Sequence, residues 1–229
     1  MSVAMKLAAV QERVAQACLD AGRALDEITL VAASKGHTVA AVAAASEAGQ
    51  VHFGESYAQE LNLKVGELGA RSGRDGGPVW HFIGRLQRNK VKRVVGTASL
   101  IHAVDSERLA AEISKRAGLR AQPILLAVNL AGEATKSGVA PSAVLALAKT
   151  VHAMPGVELQ GLMAMPPWYA NPEDCTPHFQ RLSALAQEGR SLGLSLDVLS
   201  MGMSHDFHVA IREGATHIRV GTAIFGPRA

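Results

Sequence analysis

The sequence is poor in cysteine and has no long apolar run. Only Cys18 and Cys175 occur among its 229 residues, and they share no motif spacing. We therefore expect no disulfide framework and a reducing, cytoplasmic setting. Nowhere do about 18 apolar residues follow one another, which argues against a membrane-spanning helix and a membrane partner. Gln11, Glu12 and Arg13 interrupt the first apolar residues, so no signal peptide is predicted.

Charge of one sign is also scarce. Lys and Arg number 23 against 20 Asp and Glu, and the formal net charge of +3 is too small to indicate nucleic acid. The one basic run, RLQRNKVKR at 85–93, lacks interleaved aromatics. We interpret it as a solvated helix face and expect no nucleic-acid partner, with a nucleic-acid-binding module kept as an alternative. No His, Cys or Asp cluster has metal-ligand spacing, so no metal is predicted.

What the sequence does have is a series of short apolar segments that alternate with helical stretches. The eight strand candidates lie at 29–34, 51–54, 79–84, 99–104, 124–129, 158–164, 195–201 and 217–221. Strands of this kind are typical of a parallel sheet covered by helices. Eight repeats predict an α/β fold, a small (β/α)8 TIM barrel. The rival is an open doubly wound sheet, which would place a G-x-G-x-x-G turn where this chain has SKGHT.

We expect a single domain over residues 1–229, because no linker or shift in composition divides the chain. Apolar residues at helical spacing predict an extra helix over 4–25 that flanks the barrel. The stretch GARSGRDGGP at 69–78 has the most flexible composition, and we interpret it as a surface loop.

Polar residues lie where the predicted strands end, which is where barrels carry their working residues. Lys35 follows the first strand, and an ammonium there must be solvated, paired or used covalently. Ser204 follows the seventh strand, and Gly221 and Thr222 follow the eighth. Glycines, hydroxyls and a helix start suit a phosphate group. A lysine opposite a phosphate site suggests a Schiff base with a phosphorylated aldehyde, and pyridoxal phosphate is the obvious candidate.

Each of these residues has a simpler interpretation when it is taken alone. Lys35 would be a rim lysine with its head group in water. Ser204 would be a helix cap, Gly221 a turn glycine and Arg219 an ion-pair partner. His81, inside VWHFIG, is more often a hydrogen-bonded barrel histidine than a ligand. The prediction of a cofactor site depends on the coincidence of several elements.

Six motifs occur in the order of one known family: LVAASKG, FGESYAQE, WHFIGRLQRNKVK, GLMAM, LSMGMSHDF and VGTAIFGPR. From residue 30 to residue 228 the chain resembles the pyridoxal phosphate homeostasis protein family, which is similar in fold to the N-terminal barrel of alanine racemase. The resemblance implies a fold-type-III barrel in which Lys35 carries the cofactor and Arg219 faces its pyridine nitrogen. The cofactor-binding residues that it implies are Lys35, Ser56, Met203, Ser204, Arg219, Gly221 and Thr222. Ser56 and Arg85 stand where the family usually has asparagine and histidine.

The resemblance implies intracellular pyridoxal phosphate homeostasis, and we expect a carrier or regulator with no catalytic residue. Racemases of this type take a second acid or base from another domain, and neither Tyr57 nor Tyr169 has an evident position as a base. An arginine at the pyridine nitrogen would also weaken the ring as an electron sink. The alternative is a pyridoxal-phosphate-dependent amino-acid racemase of low activity. The expected partners are the cofactor and apo-enzymes that require it, and a monomer is expected.

Overall fold

The computed structural model describes residues 1–69, 77–133 and 137–227. At its centre is a closed barrel of eight parallel strands in chain order, in which β8 pairs with β1. The strands are β1 Thr29–Ala33, β2 His52–Glu55, β3 Val79–Phe82, β4 Leu100–Val104, β5 Gln122–Val128, β6 Val157–Ala164, β7 Val198–Ser200 and β8 His217–Val220. Each overlaps one predicted segment, so the TIM-barrel prediction is confirmed.

Helices follow most of the strands and cover the outside of the barrel. They are α1 Val3–Asp20, α2 Val39–Glu47, α3 Ala58–Leu68, α4 Glu107–Arg116, α5 Val144–His152, α6 Thr176–Ser191, α7 Phe207–Arg212 and α8 Thr222–Phe225. Between β3 and β4 the crossover is a short 3-10 helix, Arg88–Arg93, within the basic run. Its Val91 is buried while most of its basic side chains are exposed, as expected of a solvated helix face.

The amino-terminal helix α1 flanks the barrel as predicted but ends earlier than residue 25. It packs against α2, α7 and α8 through an apolar stripe that includes Leu7, Val10 and Val14. The helix stops at Asp20 because Gly22 follows with φ of 64°, a left-handed conformation that glycine adopts without strain. The predicted loop at 69–78 lies, for residues 70–76, outside the described residues.

The strands bury apolar side chains against the helices and polar ones inside the barrel. Trp80 of β3 faces outward, since its indole N–H donates to the carbonyl oxygen of Gly69 at the end of α3, 2.9 Å away. Alternation along the strand turns the next residue, His81, toward the interior. No helix in the described ranges combines the length and the apolar character that crossing a bilayer requires.

Candidate functional site

A cavity of about 660 Å³ lies at the carboxyl ends of the strands. Three of the predicted site residues line it: Lys35 after β1, Ser56 after β2 and Arg219 of β8. Lys35 is half-buried and Arg219 is buried. The volume is in the range of roughly 300–1,000 Å³ that is usual for small-molecule sites. The barrel therefore brings an amine and a guanidinium group into the lining of one cavity.

The other four predicted residues lie on the turns after β7 and β8. The hydroxyl of Thr222 donates to that of Ser204 across 3.3 Å. Gly221 lies against β1, since a Cβ atom on it would come within 3.1 Å of the Ala33 carbonyl oxygen. Neither these residues nor Met203 line the cavity that contains Lys35. That one ligand joins the two groups stays a prediction.

The turn after β7 is held by a carboxylate rather than by Ser204. Asp206 Oδ1 accepts a hydrogen bond from the amide of Met203 at 2.6 Å, and Asp206 is the N-cap residue of α7. The interpretation of Ser204 as a helix cap is therefore wrong. Gly202 has φ of 91°, and a Cβ atom there would lie 2.6 Å from that of Ala210, so the turn requires glycine.

Both neighbours of Lys35 are anchored to α3. The carbonyl oxygen of Ser34 accepts a hydrogen bond from Lys64 Nζ at 2.8 Å, and the amide of Gly36 donates to Glu60 Oε1 at 2.9 Å. These bonds fix the backbone on either side of Lys35. The helix thus determines where the lysine stem leaves the strand.

Beneath this anchor lies a buried ion pair that sequence reasoning missed. Lys64 Nζ is 2.6 Å from Glu55 Oε1, and the Ser34 hydroxyl donates to the same oxygen at 2.6 Å. Lys64 is 1% exposed and Glu55 0%. Burial raises the pKa of Glu55 to about 7, against the opposing effects of Lys64 and Ser34. The sequence signal for the burial of Lys64 was its helical spacing from Leu61, which places both residues on the buried face of α3.

A chain of hydrogen-bonded imidazoles crosses the barrel interior below Arg219. His52 Nδ1 lies 2.9 Å from His81 Nε2, and His81 Nδ1 lies 2.9 Å from His102 Nε2. His102 Nδ1 is 2.8 Å from Ser200 Oγ, which accepts a hydrogen bond from Arg219 at 2.5 Å. Because β4 and β7 are not neighbours, the contact between His102 and Ser200 spans the interior. His81 is the hydrogen-bonded barrel histidine that the sequence predicted.

Arg219 sets the direction of every hydrogen bond in this chain. A guanidinium group can only donate, so Ser200 Oγ accepts from it. We infer that the serine hydrogen goes to His102 Nδ1, the other polar partner of this oxygen among the described residues. His102 then donates from Nε2 to His81 Nδ1, and His81 donates from Nε2 to His52 Nδ1. The inferred tautomers are therefore the same along the chain, with each N–H pointing away from Arg219.

Burial keeps His81, His102 and His217 neutral and leaves Arg219 charged. It lowers the pKa of His81 and His102 well below their usual value, and that of His217 to about 4. It lowers the pKa of Arg219 to about 10, which still leaves the group protonated at neutral pH.

The second donor contact of Arg219 goes to a backbone oxygen. Its other terminal nitrogen donates to the Ala164 carbonyl oxygen at 3.0 Å, and no carboxylate of the described residues forms an ion pair with it. The interpretation of Arg219 as an ion-pair partner is therefore wrong. Within the same residues, no group of three or more His, Cys, Asp and Glu side chains could hold a metal ion.

Residues 6–229 match the family described as alanine racemase, N-terminal domain. The pyridoxal phosphate homeostasis protein of Aquifex aeolicus is 42% identical over 231 residues, covering 100% of this chain and 99% of that protein. The chain belongs to the pyridoxal phosphate homeostasis protein family. This confirms the resemblance that the sequence motifs indicated.

Two solved structures place the family in its fold class. PipY of Synechococcus elongatus PCC7942, solved with PLP bound, is 32% identical to this chain, with a TM-score of 0.83 and coverage of 98% of this chain and 100% of PipY. Alanine racemase of Corynebacterium glutamicum is 16% identical, with a TM-score of 0.72 and coverage of 96% of this chain and 62% of the racemase. The second similarity shows the fold alone.

Proposed function

We propose that the protein binds pyridoxal 5'-phosphate and acts in its homeostasis as a carrier or regulator without robust turnover. The observation that carries the proposal is the cavity that both Lys35 and Arg219 line. The hydroxyl pair of Ser204 and Thr222, on the turns after β7 and β8, supports it. The bound PLP of PipY and the name of the Aquifex aeolicus relative support it.

The residues present fit this cofactor in chemistry and in size. Lys35 would hold the aldehyde carbon, and Arg219 would face the ring nitrogen. Ser204, Thr222 and the amide of Gly221 would hold the phosphate, because hydroxyl and amide hydrogens are the donors that a phosphate oxygen accepts. Ser56 and Met203 would contact the ring, and the hydroxyl of Ser56 offers one donor where an asparagine amide offers two.

The charge on Arg219 favours binding over catalysis. When bound, pyridoxal phosphate supplies an electron sink for carbanion chemistry, which works best with a protonated ring nitrogen. Arg219, with a pKa of about 10, stays positive at neutral pH. A second positive charge facing it is disfavoured, so the ring nitrogen would stay unprotonated. Lys35 would then hold the cofactor while Arg219 weakens the reactivity of the cofactor ring.

The binding proposal is tested by covalent trapping. Borohydride treatment of the cofactor-saturated protein, followed by peptide mass mapping, should place the adduct on the Lys35 peptide. Lys35→Ala should lose the adduct, and Lys90→Ala, which removes another lysine that lines the cavity, should keep it. Buried Lys64 is an internal control that should stay unmodified. An adduct confined to other lysines would overturn the assignment.

One observation favours the alternative of a low-activity racemase. Tyr57 lines the same cavity as Lys35, although no position as a base was evident for it from the sequence, and it is 61% exposed at the rim. Incubation of the cofactor-loaded protein with L-alanine in D2O measures exchange of the α-hydrogen. We expect exchange no faster than with free cofactor, because Tyr57 is largely exposed and not positioned to give the general acid–base assistance that is typically worth about 10²–10⁴-fold. Rapid exchange with formation of D-alanine, abolished by both Tyr57→Phe and Lys35→Ala, would establish the racemase.

We further propose delivery to apo-enzymes, a monomeric state and a cytoplasmic setting. The two cysteines, Cys18 and Cys175, are free and buried, which suits a reducing compartment. Light scattering at several protein concentrations tests the monomer. Cofactor transfer to an apo-enzyme across a dialysis membrane and in direct mixture separates release into solution from direct delivery.

A further inference from the structure

A second cavity of about 360 Å³ lies beside the one that contains Lys35. Its lining residues follow β3 and β4 and are Arg85, Leu86, Gln87, Arg88, Asp105, Ser106, Arg108 and Leu109. Arg85, Leu86 and Gln87 line both cavities. We call the second cavity the rim cavity. Because the two cavities share these three residues, the rim cavity adjoins the cavity that contains Lys35 at the turn after β3.

Three guanidinium groups line the rim cavity. Within residues 1–69, 77–133 and 137–227, neither an ion pair nor a hydrogen bond is made by the side chain of Arg85, Arg88 or Arg108. The cavity's one carboxylate, Asp105, accepts a hydrogen bond from the Ser106 hydroxyl at 3.2 Å. Three arginines against one aspartate leave two positive charges around the cavity.

Several other arginines of the protein satisfy their donors locally. Arg23 pairs with Glu27 at 3.0 Å, and Arg212 pairs with Glu173 at 2.7 Å. A guanidinium group is a planar fork of donors that matches the two oxygens of a carboxylate or the edge of a phosphate. Three unpartnered forks around one cavity therefore offer donors that an oxyanion would satisfy.

The start of α4 adds to the positive electrostatic potential around the rim cavity. Ser106 is the N-cap residue, yet its hydroxyl accepts no bond from the helix amides and instead donates to Asp105. The first amides of the helix have no partner within it, and together with the positive end of the helix dipole they favour a negative charge nearby. Asp105 and Glu107 already supply part of that negative charge. The helix supports the arginines and does not by itself define a ligand site.

We propose that the rim cavity binds the carboxylate or phosphate group of a second small molecule. This goes beyond the proposed cofactor function, because the predicted phosphate-binding residues Ser204, Gly221 and Thr222 line neither cavity. Since the rim cavity adjoins the cavity of Lys35, its occupant lies next to whatever Lys35 holds. Arg85, which lines both cavities, is the link between them.

The test measures binding of simple oxyanions to the full chain without added cofactor. Inorganic phosphate, malonate, acetate and chloride are titrated at constant ionic strength, and the arginine Nε–H signals are followed by NMR. We expect phosphate or malonate to shift the signals of Arg85, Arg88 and Arg108 and chloride to leave them unchanged. Tighter binding of phosphate identifies a phosphate-bearing ligand, and tighter binding of malonate identifies a carboxylate-bearing one.

Matched variants localise the site. Arg85→Gln and Arg108→Gln should each weaken oxyanion binding about tenfold or more, as loss of a charge-assisted hydrogen bond predicts. Arg181→Gln removes an equivalent exposed charge from α6, far from either lining, and should have no effect. The proposal is wrong if Arg85→Gln binds like Arg181→Gln, or if no oxyanion exceeds chloride. It is also wrong if Ser204→Ala abolishes phosphate binding while Arg85→Gln retains it.

Discussion

Acid should destabilise this protein through the imidazoles inside its barrel, and His217 allows the size of the effect to be worked out. Burial lowers its pKa from 6.5 to about 4. The imidazoles of His52, His81 and His102 and the guanidinium of Arg219 surround it, and none of them offers a negative charge that would favour protonation. Folding therefore excludes a proton that the unfolded chain binds.

The sign and the magnitude follow from this pKa difference. The unfolded state binds more protons below about pH 6.5, so the stabilisation is complete above that pH and is lost as the pH falls toward 4. The full difference corresponds to roughly 3 kcal/mol of unfolding free energy for His217 alone. About 2 kcal/mol of this falls between about pH 7.5 and pH 5.

Urea denaturation of the wild type and of His217→Asn at these two pH values measures the effect. Asparagine does not titrate, so the wild type should lose about 2 kcal/mol more than the variant on acidification. Glu55, whose raised pKa gives stability that is lost as pH rises from about 4.5 to 7, contributes equally to both proteins. Exposed His152→Asn is the control and should behave like the wild type. Identical pH dependence in wild type and His217→Asn would show that folding leaves the pKa of His217 unchanged.

The remaining predictions concern the ion pair and the phosphate. Lys64→Met leaves Glu55 buried without its partner and should lower the free energy of unfolding, measured by urea denaturation, by about 3–5 kcal/mol. The double variant Lys64→Met with Glu55→Leu should recover most of that loss. Equal losses in the two variants would show that the pair does not act as a unit. Pyridoxal phosphate should bind at least about tenfold more tightly than pyridoxal, because each charge-assisted bond contributes roughly 1.5–3 kcal/mol. Ser204→Ala should weaken binding of the first ligand only, and similar dissociation constants for both ligands in the wild type would show that the phosphate residues are misassigned.

The barrel could be predicted from the sequence because its strands are short, apolar and regularly spaced. A parallel barrel brings the carboxyl ends of all strands to one face, so the residues after them converge without any knowledge of side-chain contacts. Lys35 and Ser56 reach the same cavity for this reason. Arg219 joins them although it lies inside β8 rather than after it.

The interior polar network could not be predicted in the same way. His52, His81, His102 and His217 all stand inside predicted strands, which was the available signal. Their contacts depend on the register of the closed barrel, and the bond from His102 to Ser200 joins residues 98 positions apart. Local patterns indicate which face of a strand a side chain occupies, but they do not fix which strands meet across the interior.

The uniform direction of the imidazole chain gives the barrel interior an electrostatic polarity. Each ring turns its lone pair toward Arg219, so a row of neutral dipoles stabilises the buried cation where a carboxylate would have cancelled it. Dipoles leave the net charge in place, and Arg219 lines the cavity that contains Lys35, so the field of this charge acts there. An anionic ring that enters gains from this field, and a cationic ring of the same size is repelled. We therefore expect the interior to favour its ligand by charge as well as by shape.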